Sequence, residues 1–247
     1  MSEQDNGQEN DKRRAVIDPD WYSLEFAFSS PLHDPEPTEY LTQVHARIRL
    51  AEDQAEDPAA SANQQIPSLA LRMSLTLYDL ERAHADGQIP LEIFDCVSEG
   101  ALEIYNQLYD GFALRPEVEV VVADDGVTSP SLLVIEAVEV LPRHRGRGLG
   151  LVAVLKAMQV LGPTGGVAVL VAAPLEHSLS YDIDPATWRH EMEMDAFPPD
   201  GPEVRDKLAA YWGRLGFKGV ANSSLQICSL GKILPTVPSV LEELSGS

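Results

Sequence analysis

The sequence lacks the features that identify several common classes of protein. Among its 247 residues are only two cysteines, Cys96 and Cys228, whose separation fits neither a zinc site nor a disulfide framework, so we expect reduced core thiols. The apolar runs at 132–141 and 166–173 are too short for a transmembrane helix, which needs about 20 residues. The N-terminal residues are polar and acidic, unlike a secretory signal. A cytoplasmic protein without a membrane partner is therefore expected.

Basic residues are also scarce. The chain has 18 Lys and Arg against 39 Asp and Glu, which gives a formal net charge of −21. This balance argues against a nucleic-acid partner, because such binding depends mainly on neutralising phosphates. An acidic surface attracts cations, so small cationic amines and basic protein segments are the partners to expect. The alternative is that the charge only confers solubility.

One short stretch reverses this acidic balance. Three arginines and three glycines alternate within 143–150, between an apolar strand and an amphipathic helix. Unpaired backbone N–H groups at the start of a helix, together with positive charge, favour phosphate binding. The stretch has no lysine at the position that a P-loop requires, and its glycines are spaced G-x-G-x-G rather than G-x-G-x-x-G. The sequence therefore predicts a phosphate-binding turn of another kind.

The hydrophobic pattern predicts an α/β (α+β) domain over 19–235, between a disordered acidic tail at 1–18 and a C-terminal tail at 236–247. Strands are predicted at 21–28, 44–50, 69–77, 118–123, 132–141, 166–173 and 225–230. The pattern at 44–50 also fits a helix, and 118–123 and 132–141 should form a hairpin. Helices are predicted at 91–109, from the glycine turn to Gly162, and from Glu203 to Gly216, with a weak helix or tail after 237.

The order strand, turn, helix, strand around the glycines has a topological consequence. A strand at 132–141 and a buried strand at 166–173, joined by a helix, should be parallel neighbours in a mixed sheet. The stretch at 51–65 should be a loop or a weak helix. The proline-rich segment 174–202 is irregular and is expected to be an insertion that lines a site.

Two motifs, in this order, resemble the GNAT superfamily of acyl-CoA-dependent N-acetyltransferases. The first is Arg145-Gly146-Arg147-Gly148-Leu149-Gly150, which fits the signature R-x-x-G-x-G/A on Arg145, Gly148 and Gly150. The second is 208–217, which is similar to a later helix of the family that reads aromatic-Tyr-x-x-Leu-Gly-Phe. The resemblance implies a mixed, mostly antiparallel central sheet with a splayed parallel strand pair and flanking helices.

The resemblance also implies a donor site. Acetyl-CoA would be the co-substrate, with no metal, and its pyrophosphate would lie against the amides and arginines of the turn. Its pantetheine arm would pair with the backbone of the preceding strand. The expected cofactor-binding residues are Val138, Val140, Arg145, Gly146, Arg147, Gly148, Leu149 and Gly150.

Amine acetylation needs a proton acceptor for the amine and a proton donor for the departing thiolate. Glu136 and Glu139 are the candidate bases on the motif strand, and regular pleating would let only one face the cleft. We favour Glu136. Each could instead be an acidic side chain on a solvated face.

The position that carries the proton-donating tyrosine in the family is Trp212 in this chain, and an indole is no practical acid. Tyr211 precedes it and should point about 100° away around the helix. Its alternative role is packing in the core. Other candidate donors are water and the insertion side chains His177, Ser178, Tyr181 and His190.

The sequence thus predicts an N-acetyltransferase that acts on a cationic amine or a protein amino group by direct attack in a ternary complex. Two alternatives stay open. One is a noncatalytic acyl-CoA-binding sensor of the same fold, which Trp212 would explain. The other is an acidic interaction protein that captures a basic partner. The sequence does not decide between a monomer and a homodimer.

Overall fold

The computed structural model describes residues 16–29, 37–51, 68–174, 185–194 and 200–246. A seven-stranded mixed sheet forms its centre, in the order β1-β2-β3-β6-β7-β9-β8. Its strands are β1 (Tyr22–Ser29), β2 (Leu41–Leu50), β3 (Leu69–Tyr78), β6 (Leu132–Val140), β7 (Val167–Val171), β8 (Lys218–Gly219) and β9 (Leu225–Ser229), and the short strands β4 (Tyr109–Asp110) and β5 (Ala113–Leu114) pair separately. The helices are α1 (Leu80–Ala85), α2 (Pro90–Asp95), α3 (Glu99–Leu108), α4 (Pro116–Val122), α5 (Leu149–Leu161), α6 (Pro185–Glu191), α7 (Pro202–Gly213) and α8 (Val237–Ser245).

The seven-stranded sheet is antiparallel apart from the pair β6 and β7, which is parallel as the strand-turn-helix-strand order predicted. The parallel pairing is short. It joins Leu132–Ile135 to Val167–Leu170, whereas β6 itself continues to Val140. The second half of β6 is therefore not paired with β7.

Two hydrophobic cores cover the two faces of the sheet. On one face of the sheet, helix α5 is buried over most of its length, and Trp212 of α7 and Val240 of α8 belong to the same core. Helices α1 to α4 pack on the other face, where Leu132 and Val134 of β6 point. Leu133 and Ile135 point to the α5 face, which is the alternation that a strand buried on both sides requires.

The segment 118–123 is helical, so the prediction of a strand and a hairpin there is wrong. Helix α4 begins with Pro116 in its first turn, a position where proline is tolerated because its missing N–H would have no helical partner. Val118 and Val122 are both buried, and their spacing of four places them on one helical face. The three consecutive valines at 120–122 favour a strand locally, but burial of Val118 and Val122 on one face selects the helix.

Other predicted boundaries also change. The helix predicted at 91–109 is two helices, because Ser98 begins α3 by accepting a hydrogen bond from the Ala101 N–H at 3.1 Å. The residues after 237 form α8, whose Val240 is buried, rather than a tail. Cys228 is buried, but Cys96 is exposed and so is not a core thiol.

The remaining strand predictions are confirmed, with shifts of a few residues at their ends. Ile17 is buried and its N–H donates to the Arg147 carbonyl, so the packed structure begins before residue 19. Residues 1–15 of the predicted tail, and 52–65 of the predicted loop, lie outside the described residues. Within the described ranges, no helix combines the length and the apolar character needed to cross a membrane.

Candidate active site

Strand β6 contains a β-bulge at Glu136. In its antiparallel pairing with β3, Ser74 lies opposite Ala137, and the next residue, Leu75, lies opposite Ile135. Glu136 is therefore an extra residue on the β6 side of the ladder. Such a bulge shifts the alternation of side chains along the rest of the strand by one position.

The bulge brings Glu136 and Glu139 to the same face of the sheet. Glu136 accepts hydrogen bonds from the hydroxyls of Ser74 and Thr76, each at 2.7 Å, and Glu139 accepts from Arg72 at 2.9 and 3.1 Å. These three donors are alternate residues of β3, so they project to one face. Only Glu136 also faces the cleft, because Glu139 is buried, so the expectation that just one of the two would do so holds, although regular pleating is not the reason.

A cavity of about 430 Å³ lies between β6, β7, α5, α6 and α7, where β6 and β7 stop pairing. Most of its lining is apolar, with Leu170 and Val171 of β7 and Met192 and Met194 after α6 among the contributors. A few polar side chains converge on it: Glu136, His144, Arg145, Lys207 and Tyr211. A concave, mostly apolar cavity of this size with a few polar groups is typical of a small-molecule site.

Helix α5 begins at the wall of this cavity. Gly146 and Gly148 have φ angles of +70° and +87°, which glycine adopts without strain and which turn the chain into the helix. The first N–H groups of a helix have no acceptor within it, and the helix dipole makes this end positive. Seven of the eight predicted cofactor residues line the cavity, Arg147 being the exception: Val138, Val140, Arg145, Gly146, Gly148, Leu149 and Gly150.

The two glycines of the signature are also closely packed against neighbouring helices. A Cβ at Gly148 would lie 2.5 Å from Leu244 Cδ1 of α8. A Cβ at Gly150 would lie 3.0 Å from the Tyr211 hydroxyl oxygen. A side chain at Gly148 would therefore be strained by the positive φ angle and would displace Leu244, and one at Gly150 would push the Tyr211 hydroxyl by a few tenths of an ångström. A substitution of Gly148 would disturb α8 whether or not the turn binds a ligand.

Arg145 joins two walls of the cavity. Its Nε donates to the Val140 carbonyl at 2.7 Å and its Nη2 donates to the Met192 carbonyl at 2.6 Å. Burial lowers the pKa of this guanidinium. These bonds connect the end of β6 to the segment after α6. The signature arginine, expected to contact pyrophosphate, is thus engaged in holding the protein together.

Arg143 and His144 anchor the turn from the other side. Arg143 donates to the Leu69 carbonyl through Nη2 and to His144 Nε2 through Nε, both at 3.0 Å. Since Nε2 accepts, the proton of the neutral imidazole is on Nδ1, which lies 3.2 Å from the Tyr22 hydroxyl. Burial, with Arg143 and Arg147 nearby, lowers the pKa of His144 to about 4. The imidazole is therefore neutral at pH 7.

Glu139 belongs to a buried cluster with Arg72 and Trp188. Its Oε2 accepts from the Arg72 guanidinium and from the Trp188 indole N–H at 3.1 Å, and the guanidinium lies 3.8 Å from the centre of the indole ring. Glu139 is 1 % exposed and Trp188 is completely buried. A carboxylate so enclosed cannot reach a substrate, so the cluster's role is to attach α6 to the sheet.

Both residues weighed for proton donation line the cavity. The hydroxyl of Tyr211 is directed at Gly150, at the start of α5. Burial raises its pKa to about 12, although a backbone hydrogen bond at Leu151 acts in the opposite direction. Trp212 packs in the α5 core, with its ring edge against Tyr211. The sequence predicts that Tyr211 and Trp212 point in directions about 100° apart. Both nevertheless line the cavity, because α7 forms one of its walls.

Among the described residues, the structure places none of the remaining candidate proton donors in the cavity. His190 is exposed on α6 and does not line the cavity, while His177, Ser178 and Tyr181 lie outside the described residues. Sequence reasoning missed four contributors: the hydroxyls of Ser74 and Thr76, the imidazole of His144, and Lys207. The hydroxyls occupy the polar positions of an alternating strand, a pattern that looks like a solvated face unless the bulge across from it is known.

Comparison of the chain with known proteins gives no match to a protein-family model, to a curated protein or to a solved structure.

Proposed function

We propose that this protein is an acyl-CoA-dependent N-acyltransferase that transfers an acetyl group from acetyl-CoA to a primary amine in a ternary complex. One observation carries the proposal. One cavity is bordered by the start of α5, by the half of β6 that does not pair with β7, and by Glu136 and Tyr211. The early end of the β6–β7 pairing next to the glycine turn supports the proposal, because the resemblance to the GNAT superfamily implies a splayed parallel pair there.

The donor would be held by backbone groups more than by side chains. The N–H groups at the start of α5 suit a pyrophosphate, and the second half of β6 suits the amides of a pantetheine arm. Arg145 contributes positive potential while its hydrogen bonds stay with Val140 and Met192. The Val140 carbonyl already accepts from Arg145, and its second lone pair is available to a pantetheine N–H.

Glu136 is the proposed general base. Its carboxylate lies at the boundary between the cavity and solvent, and the Ser74 and Thr76 hydroxyls fix its orientation. It would take a proton from the attacking amine, directly or through water. Glu139 has no part in this step, because Arg72 and Trp188 enclose it.

Tyr211 is the proposed proton donor. A pKa of about 12 keeps the phenol protonated at neutral pH, so that it can donate a hydrogen bond to the departing sulfur. The demand on it is modest, because a thiol has a pKa near ~8.5 and its thiolate leaves readily. One C–N bond forms and one C–S bond breaks, while one proton passes from the amine to Glu136 and one passes from Tyr211 or water to the sulfur.

The test is thiol release from acetyl-CoA in the presence of a polyamine, an aminoglycoside or a lysine-rich peptide. We expect release that depends on both substrates and that falls sharply in Glu136→Gln. An exposed glutamate on β1 supplies the control variant, Glu25→Gln. Binding of acetyl-CoA without turnover of any amine would instead support the noncatalytic sensor, for which Trp212 in the cavity wall is the observation. Absence of binding would overturn both.

A further inference from the structure

Lys207 is a cation in the cavity to which neither the sequence resemblance nor the proposed reaction assigns a role. It lies on α7 four residues before Tyr211, so the two side chains share one face of the helix. It lines the same cavity as Glu136 and Tyr211. An acyl group placed for transfer in this cavity would therefore be close to a second amine, the protein's own.

The five lysines of the chain differ in what surrounds them. Lys218 and Lys232 both bind Asp125, at 2.8 and 3.4 Å, and Lys218 also donates to the Val121 carbonyl. Lys156 is exposed on α5 and does not line the cavity. The fifth, Lys12, lies outside the described residues.

Lys207 has a different environment from these. Within the parts of the chain that the structure describes, its ammonium makes no ion pair and no hydrogen bond, although Glu203 precedes it by one helical turn. Lys207 is exposed to solvent and also lines the cavity, and its ammonium is carried on a flexible four-carbon stem. Val204 and Leu208, beside it on α7, contribute apolar surface to the same wall.

We propose that Lys207 is a self-acylation site, which takes the acyl group from an acyl-CoA bound in the cavity when no external amine is present. This inference rests on the proposed function. The Lys207 Nζ lone pair forms a C–N bond with the thioester carbonyl carbon, and the C–S bond breaks. The amine proton passes to Glu136 or to water, and the thiolate gains a proton from Tyr211 or from water. The products are Nε-acyl-Lys207 and free CoA.

Self-acylation would change the cavity in a defined way. The ammonium becomes a neutral amide, so the mouth of the cavity loses one positive charge. Confinement next to a bound thioester supplies the rate advantage, because holding two reacting groups together raises their effective concentration by orders of magnitude. Lysines outside the cavity lack this advantage and should react only at the bimolecular rate.

The experiment is residue-resolved mass spectrometry of the intact folded protein after incubation with acetyl-CoA and no added amine. We expect acetylation of Lys207 to be at least about tenfold faster than that of Lys156. Excess free CoA should suppress the label on Lys207 and leave Lys156 unchanged. Acetyl phosphate, which carries no pantetheine arm, should label both lysines without this preference. Lys207→Arg removes the fast label, and Lys156→Arg is the matched control.

A calorimetric titration with acetyl-CoA in parallel separates the inference from the proposed function. If acetyl-CoA binds and Lys207 is labelled no faster than Lys156, the self-acylation site is refuted while the proposed function stands. If a fast label at Lys207 persists in excess CoA, the reaction does not use the cavity and the inference also fails. If acetyl-CoA does not bind, both proposals are overturned.

Discussion

The carboxyl-terminal half of β6 borders two regions, and a glutamate is buried in one and exposed to a cavity in the other. In the anchored region, the side chains of Arg72, Glu139 and Trp188 bind one another in a buried cluster. In the open cleft, Glu136 sits three residues away on the same face of the sheet, held by two hydroxyls and accessible from the cavity. The neighbouring residues therefore give the two glutamates different roles: Glu139 is a buried structural residue, and Glu136 is the candidate base.

The difference shows how the cleft is kept open. Residues of the anchored region attach α6 to the sheet through Trp188, and Arg145 attaches the segment after α6 to the end of β6. These contacts attach to β6 the segment that contributes Met192 and Met194 to the cavity wall. The polar groups of both regions have hydrogen-bond partners within the protein, but Glu139 is buried, whereas Glu136 is exposed and lines the cavity.

The largest effect is expected from breaking the anchored region. Glu139→Ala should lower the free energy of unfolding by about 3–5 kcal/mol, because it leaves the buried Arg72 guanidinium without its carboxylate. Glu136→Ala should cost only about 1–2 kcal/mol, because it removes two hydroxyl hydrogen bonds at a partly solvated position. Urea unfolding of both variants measures the contrast. Equal losses would mean that the two glutamates do not differ as described.

The second prediction addresses the cleft. Glu136→Gln should reduce kcat by about 100-fold or more, since a positioned general base contributes at least that much, while the acetyl-CoA affinity stays unchanged. Thiol-release kinetics and a binding titration provide the two numbers. Glu25→Gln should leave both unchanged. A variant that keeps the wild-type kcat would remove Glu136 from the mechanism.

The third prediction concerns His144, which contacts Arg143 and Tyr22 next to the glycine turn. Its folded-state pKa of about 4 lies below the unfolded value near ~6.5, so its contribution to stability is complete above pH 6.5 and is lost as the pH falls toward 4. The slope that it adds is at most about 1.4 kcal/mol per pH unit. His144→Gln should flatten the pH dependence of the unfolding free energy by this amount, and the exposed His190→Gln should not. Parallel curves for all three proteins would refute the buried neutral imidazole.

The smallest effect is expected at Tyr211. Tyr211→Phe should lower kcat by about tenfold, less than the glutamate variant, because a thiolate of pKa near ~8.5 needs little protonation to leave. Steady-state rates at saturating acetyl-CoA measure this. Tyr105→Phe, in the core on the opposite face of the sheet, is the matched control. Unchanged turnover in Tyr211→Phe would assign the donor role to water.

Much of the fold follows from local pattern. The alternation in β3, the continuous apolar run of β7 and the glycine turn before α5 predicted the strands, the helix and the parallel pair. Burial does not follow the same period, since β3 is buried on both faces, its polar residues included. The valines of α4 were misassigned, since β-branched residues favour strands locally and only packing against the sheet selects the helix.

The candidate site was less accessible to sequence reasoning. The glycine turn could be located, but the bulge at Glu136 depends on pairing with β3, and no local signal in β6 announces it. The same limit applies to Glu139 and Arg145. Their partners Arg72, Trp188 and Met192 are distant in sequence, so their structural roles depend on tertiary contacts.

The proposed function requires acetyl-CoA to occupy the cleft, which calorimetric titration of three proteins can test. Val171 lines the cavity and is 45 % exposed, so Val171→Trp should fill the cleft without loss of the fold. Val160, 63 % exposed on α5 and outside the cavity, provides the matched variant Val160→Trp. We predict micromolar binding of acetyl-CoA to the wild type and to Val160→Trp, and binding at least about tenfold weaker to Val171→Trp, a loss of about 1.4 kcal/mol. Absence of binding to the folded wild type, or equal binding to all three proteins, would contradict the account.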